Sequence, residues 1–271
     1  MEKQSPKDIA HFKDVFIEMY MAGKSTYYIA DEYNTHPSYI RDILKKNNIK
    51  LRTLREGNHL RFANHTKLSS ETLEILNGWM LGDGHIGFTG VQALFSLNTK
   101  HEEYADYVIN ILQYDGLKCR KYRMFNKEFN KYYYGVRTAS TIQLGDLHKK
   151  WYVEKKKIVP QDLELAAKTI EHWLYDDGSL GIAGSGNNYL RFCTNGFTTI
   201  ECEFLSKKLD DFLCHNEKVN VHVTFSKKYP NLYVPILLTP ILFSKIGSCN
   251  INCFSYKWIR IKNDPSFDSD K

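Results

Sequence analysis

Apolar residues recur at helical spacing in the first fifth of the chain. Phe12, Val15, Phe16, Met19 and Tyr20 fall at i, i+3, i+4, i+7 and i+8, which predicts a helix over 11–22 with one buried face. Gly23 is placed to end it. Ser25 can cap a second helix with Ile29, Ala30 and Tyr33 inward. Asn34-Thr35-His36 reads as a tight turn. Pro37 suits the first position of a third helix, 37–47, with Ile40, Ile43 and Leu44 inward. Its outer face is left with Ser38, Tyr39, Arg41 and Lys45. Helix, short turn and polar helix is the helix-turn-helix plan, whose second helix enters the DNA major groove. The same pattern also suits a plain three-helix interaction module. Beyond it, residues 50–67 hold Lys50, Arg52, Arg55, Arg61 and Lys67 against one acid, Glu56. Such a strip reads either as a linker lying along phosphates or as a solvated connection.

Further along, one pattern occurs twice. Residues 76–84 read LNGWMLGDG and residues 170–178 read IEHWLYDDG. Each is a short apolar helical run that ends in Asp-Gly, with a Trp four residues before the Asp (Trp79 and Asp83, Trp173 and Asp177). The two aspartates are 94 residues apart. After each comes a short strand-like stretch, then a helical pattern (101–114 and 199–213), then aromatic strands (Tyr132–Val136 and Leu232–Ile236). Matching element order over about 95 residues argues for an internal duplication. Asp-Gly alone is usually a turn, as Asp115-Gly116 illustrates. Asp83 and Asp177 differ by standing at the ends of apolar helices at matched places. Gly78 and Gly82, four apart, share a helix face and allow a close neighbour. If the two repeat helices pack side by side, their terminal carboxylates meet and repel at two negative helix ends. A bound divalent cation offsets that repulsion. Mg²⁺ suits such a site, because it takes a few carboxylates together with water and substrate phosphate oxygens.

Charge and composition narrow the class. The 271 residues carry a net charge of +6, with 42% hydrophobic and 25% charged residues, which excludes a disordered or collagen-like chain. By segment the balance is +3 over 1–65, +4 over 66–160 and −1 over 161–271. The excess leans toward a polyanion and sits in the first 160 residues. No signal-peptide h-region follows Met1, and the apolar stretch from Tyr233 to Phe243 is broken by two prolines. Six cysteines show no CxxC and no dense framework, so a reduced, intracellular chain is expected. A bacterial or phage-encoded cytoplasmic protein is favoured over an organellar one. Cys249 and Cys253, with His215 and His222, do not match common zinc spacings. The densest basic stretch is 118–137, where Lys118, Arg120, Lys121, Arg123, Lys131 and Arg137 are interleaved with aromatics. A two-stranded ribbon there fits a major groove, in which Arg and Lys read guanine edges. Arg191, Lys227 and Lys228 are weaker counterparts in the second repeat. For any one of these residues an ordinary exposed strand face explains its polarity equally well.

LNGWMLGDG and IEHWLYDDG together resemble the paired signature of LAGLIDADG homing endonucleases, in their two-motif, single-chain branch. The resemblance extends to His148-Lys149-Lys150-Trp151-Tyr152 and Lys157-Ile158-Val159-Pro160, and covers about residues 68–262. It implies an α+β fold: a pseudo-twofold pair of αββαββα halves whose antiparallel sheets saddle double-stranded DNA. It also implies a monomer that cleaves both strands with Mg²⁺, or with another divalent cation such as Mn²⁺. Asp83 and Asp177 match the position of the family's metal-binding acids, with Gly82 and Asp176 beside them as further candidate ligands. Lys157 matches a basic residue near the active site, and Lys257 is its counterpart; they follow their aspartates by 74 and 80 residues. Two positions depart from the pattern. His172 and Asp176 stand where the first helix has Gly78 and Gly82, which puts close packing on that side in question.

The expected organisation is a helix-turn-helix domain at 1–50, a basic linker at 51–67, repeat 1 at 68–160 and repeat 2 at 161–271. The function expected is site-specific hydrolysis of double-stranded DNA. Two rivals are an RNA-binding intron maturase acting on host intron RNA and a non-cleaving DNA-binding regulator. No membrane partner is expected.

Overall fold

The computed structural model describes residues 10–53, 56, 65–90, 92–128, 130–184, 186–216 and 218–258. Its first three α-helices are α1 (Lys13–Met21), α2 (Thr26–Glu32) and α3 (Pro37–Lys46). Gly23 leaves α1 with a φ of 97°, open to glycine at no steric cost. Ser25 Oγ accepts the Tyr28 amide at 3.0 Å and starts α2. Pro37 opens α3, where its missing N–H costs nothing. The inward residues named above meet in a small core of Phe16, Tyr20, Ile29, Ala30, Ile40, Ile43 and Leu44, separate from the main one.

The duplicated pattern gives two matching halves. The first runs α4 (Ser70–Leu81), β1 (His85–Phe88), β2 (Ala93–Thr99), α5 (Glu102–Tyr114), β3 (Cys119–Asn126), β4 (Lys131–Thr138) and α6 (Ile142–Trp151). A two-stranded ribbon, β5 (Tyr152–Val153) and β6 (Lys156–Lys157), follows. The second runs α7 (Ala167–Asp177), β7 (Gly178–Ile182), β8 (Asn188–Cys193), α8 (Thr199–Leu213), β9 (His222–Ser226), β10 (Tyr229–Val234) and α9 (Thr239–Ile246). A 3₁₀ turn, Asn252–Lys257, comes after it. The two four-stranded antiparallel sheets have the same order, β1-β2-β4-β3 and β7-β8-β10-β9. In β2 the alternation Ala93, Phe95, Leu97 buried against Leu94, Ser96, Asn98 more open tells the core face from the open face.

The halves share one core, and α4 against α7 is its spine. A Cβ built on Gly78 would lie 2.4 Å from Thr169 O and 2.9 Å from His172 Cβ. One built on Gly82 would lie 2.4 Å from Asp176 Cβ. The two larger residues of α7 therefore fill the hollows that the two glycines of α4 leave. His172 and Asp176 do not prevent close packing; they supply the knobs for it. Thr169 Oγ1 donates to Glu74 O at 3.0 Å along the same seam.

His172 is fully buried. Its Nδ1 lies 2.7 Å from Lys168 O, which can only accept, so Nδ1 carries the proton and Nε2 faces the Tyr107 hydroxyl at 3.1 Å. Burial pushes this imidazole down to about 4. Its folded pKa is lowered, so the unfolded chain binds the extra proton between pH 6.5 and 4. The resulting stability is full above about pH 6.5 and is lost as the pH falls toward 4, by up to about 3 kcal/mol. Urea unfolding at pH 7.5 and pH 5 should show a larger loss for the wild type than for His172→Gln. Equal losses in the two proteins would contradict the assignment.

Candidate DNA cleavage site

Helix C-termini expose unpaired carbonyls, and α4 and α7 each end on one lysine that takes them up. Lys157, on β6, donates from Nζ to Gly82 O at 2.9 Å and to Gly84 O at 3.2 Å. Lys257, in the 3₁₀ turn, donates to Leu174 O at 3.1 Å, Tyr175 O at 2.5 Å and Asp176 O at 3.2 Å. Lys157 is half-buried, and Lys257 is only 6% exposed. The structure thus brings the four residues singled out by spacing and resemblance to one place: Asp83 and Asp177 at the helix ends, with a lysine behind each.

Asp83 is exposed and Asp177 half-buried. Among the described residues, neither carboxylate accepts a hydrogen bond or makes an ion pair. Burial and the charge of Asp83 push the Asp177 carboxyl up to about 7, against the opposing pull of both lysines. Crowding by the packed helix ends partly desolvates Asp83 as well and raises it, with both lysines pulling the other way. The same burial lowers both ammonium groups, Lys257 to about 8, while the aspartates pull the other way. Asp176 behaves differently from its neighbour. Its Oδ2 accepts the Asp83 amide at 3.1 Å, and its Oδ1 accepts the Tyr104 hydroxyl at 2.7 Å. It is a bridge between the two halves; burial and the charge of Asp83 raise its proton affinity, while its two hydrogen bonds oppose them. Gly82, the other candidate ligand, directs its carbonyl to Lys157.

The cross-strand rows show which basic residues share the open faces. In the first sheet His85, Ser96, Arg137 and Arg120 form one row. Lys118 and Lys131 have the same parity and are exposed. Lys121 and Arg123 lie on the opposite face. Lys121 pairs with Glu102 at 2.8 Å and Asp106 at 2.7 Å on α5. Arg123 sits 3.5 Å over the Tyr132 ring. Lys121 is therefore occupied by the helix behind the sheet, and Arg123 by an aromatic ring of β4. In the second sheet Ser179, Arg191, Tyr233 and His222 make the matching row. Lys227 and Lys228 stand at the β9–β10 turn and are exposed.

In the N-terminal module Ser38, Arg41 and Lys45 are exposed on α3, and Tyr39 is half-buried. Arg52 is not free to follow phosphates. Its guanidinium stacks 3.8 Å from the Tyr20 ring, and donates to Lys24 O at 2.9 Å and to Tyr20 O. Its amide donates to the Tyr20 hydroxyl at 2.7 Å. Arg55 and Arg61 lie outside the described residues.

The family profile of the "LAGLIDADG DNA endonuclease family" matches residues 73–236. The chain belongs to this family. Its function is accordingly that of a DNA endonuclease. The cytochrome b mRNA maturase bI2 of Debaryomyces hansenii is 29% identical over 201 residues, 70% of this chain and 74% of that protein. An uncharacterised protein of Methanocaldococcus jannaschii is 30% identical over 146 residues, 52% of this chain and 56% of its own length. The fold is that of the homing endonuclease I-WcaI, solved bound to its DNA recognition sequence. The TM-score is 0.62 at 21% identity, over 79% of this chain and 97% of that one. No helix of the described residues is long and apolar enough to cross a membrane.

Several members of the LAGLIDADG site gave no spacing signal. Tyr104 accepts the Trp79 indole N–H at 2.9 Å while donating to Asp176. Glu171, 1% exposed, pairs with Lys168 at 2.9 Å and accepts from Tyr175 Oη and Asn250 Nδ2. Each is one aromatic or acid among many, and only the fold selects it. Tyr104→Phe should lower stability by about 1–3 kcal/mol, because it leaves Trp79 Nε1 and Asp176 Oδ1 without their shared partner. Urea unfolding with an unchanged slope measures this loss; no loss would contradict the bridge.

Proposed function

We propose that the protein is a site-specific endonuclease that cuts both strands of a DNA duplex between its two sheets, using a divalent cation at the α4–α7 seam. The observation that carries this reading is the pair of carboxylates, Asp83 and Asp177, at adjoining helix ends. They have raised affinity for protons and no hydrogen-bond partner among the described residues. Carboxylates with open oxygens suit Mg²⁺ or Mn²⁺, which fill their remaining positions with water and phosphate oxygens. Such an ion, when bound, supplies a nucleophilic water and stabilises the leaving oxygen.

The protein's own groups do the rest. Asp83 and Asp177 hold positive charge on the axis relating the halves, so that each can serve one strand. Gly82 and Asp176 form the floor beneath them. Lys157 and Lys257 cancel the negative helix ends and leave positive charge where the phosphorane develops. The open faces, with Lys118, Arg120, Lys131, Arg137 and Arg191, grip the duplex, and the sheets' matched order gives the grip approximate twofold symmetry. Ser38, Tyr39, Arg41 and Lys45 of α3 extend it as a helix-turn-helix. Lys227, Lys228 and the linker residues Arg55 and Arg61 add phosphate contacts. The domain limits proposed are 1–50, 51–67, 68–160 and 161–271, working as a monomer. Intron RNA is a second ligand, a reading favoured by the maturase name of the Debaryomyces relative.

Cleavage of a randomised duplex library in Mg²⁺ or Mn²⁺ identifies the target. On that target Asp83→Asn and Asp177→Asn should each slow cutting by at least about 100-fold. Binding in Ca²⁺ should stay within about threefold of wild type, since each change removes one acid rather than a base contact. Full cleavage by either variant would overturn the assignment. Arg41→Ala should weaken binding by about 1–3 kcal/mol with little change in the rate of the bound complex. An unchanged affinity would remove α3 from the interface.

A further inference from the structure

The segments that carry the two lysines are not fixed by their own halves alone. Glu103, at the start of α5 in the first half, accepts the Asn252 amide on Oε1 at 2.9 Å and the Cys253 amide on Oε2 at 3.0 Å. Those two amides open the 3₁₀ turn that ends at Lys257. Glu201, at the start of α8 in the second half, accepts the Val159 amide on Oε1 at 2.8 Å, two residues beyond Lys157. α5 and α8 are matched elements, and the two glutamates occupy matched first turns. Each half therefore grips the lysine segment that completes the other half's centre or borders it. Aromatic packing reinforces the first strap: the Phe254 ring lies 4.9 Å from Tyr104 and 5.1 Å from His101 of the first half, and 5.4 Å from Tyr175 of the second.

The two straps differ in strength in a way the hydrogen bonds make plain. Glu103 uses both oxygens on the turn, and an orphan 3₁₀ N-terminus has no other cap among the described residues. Glu201 shares its load, since Oε2 also takes the Thr198 amide and hydroxyl, both at 2.7 Å, to close the capping box of α8. Charge-assisted bonds to two backbone amides set position within a fraction of an ångström. The Lys257 ammonium then meets three carbonyls at once, which a displaced turn cannot maintain.

We propose that Glu103 and Glu201 are reciprocal positioning residues, each setting across the interface the lysine segment of the opposite half. Glu103 governs Lys257 and so the strand served by Asp177; Glu201 governs Lys157 and the strand served by Asp83. The device makes each cleavage centre dependent on the docking of both halves. It rests on the endonuclease reading for its strand assignments but not for the straps themselves.

The test uses Glu103→Gln in the full chain. The amide keeps shape and one acceptor while losing the charge and the second acceptor. Two readouts are taken. The first is strand-resolved cleavage of the target duplex labelled separately on each strand. The second is acylation of Lys257 by acetic anhydride, quantified by mass spectrometry on protein without DNA. Glu103→Gln should slow one strand by about tenfold or more, leave the other within about twofold, and raise Lys257 acylation several-fold over wild type. Glu103→Asp, whose shorter arm keeps the charge, should recover part of both. Glu201→Gln should slow the opposite strand. Equal slowing of both strands by Glu103→Gln, or Lys257 acylation at the wild-type level, would overturn the proposal. If the wild type cuts no duplex, the endonuclease reading fails, and the acylation result alone still decides the strap.

Discussion

Two α-helices cannot end side by side without cost. Their C-termini carry partial negative charge, and here each also carries an aspartate. α4 and α7 nevertheless meet there, because Gly78 and Gly82 leave hollows that His172 and Asp176 fill. The remaining repulsion is met in three ways. Lys157 and Lys257 occupy the orphan carbonyls. Asp176 accepts from the Asp83 amide and the Tyr104 hydroxyl, which offset part of the cost of burying its carboxyl. Asp83 and Asp177 keep their oxygens free and retain protons more tightly than ordinary carboxylates. On the proposed reading, a cation meets the repulsion that remains. The functional arrangement thus follows from the packing constraint and was not added to it.

The sequence announced much of this, and the reason is periodicity. Helical spacing located α1 and α3 within two residues at each end, and Ser25 marked the start of α2. Repetition at a 94-residue interval located α4 and α7 and their aspartates. What stayed hidden shares one property: it depends on which surface faces which. Lys121 looks like its neighbours in a basic run, but strand parity turns it toward α5, and Arg123 shares its face over the Tyr132 ring. Arg52 belongs to a basic strip by composition, yet its planar guanidinium is taken up by Tyr20 and the carbonyls beside it. His172 and Asp176 read as obstacles in a single helix, and only the facing glycines of α4 turn them into complementary packing.

The halves are alike in topology and unlike in detail. Trp79 finds a partner for its indole N–H in Tyr104, whereas that of Trp173 has none among the described residues. The row of His85, Ser96, Arg137 and Arg120 carries two guanidinium groups where Ser179, Arg191, Tyr233 and His222 carry one. Single-chain duplication permits this divergence, since the two halves need not stay identical. Charge follows the same division: the first 160 residues hold the positive excess, and the second repeat is slightly acidic.

The meeting of the two carboxylates is the point from which the rest of the account proceeds, and it can be observed without any substrate. A ¹³C NMR titration of the Asp177 side-chain carboxyl should give a midpoint near 7. In Asp83→Asn the midpoint should move down, while staying above the ordinary carboxylate range because burial remains the larger cause. An Asp177 that titrates near 4 in the wild type, or one indifferent to Asp83, would contradict the account.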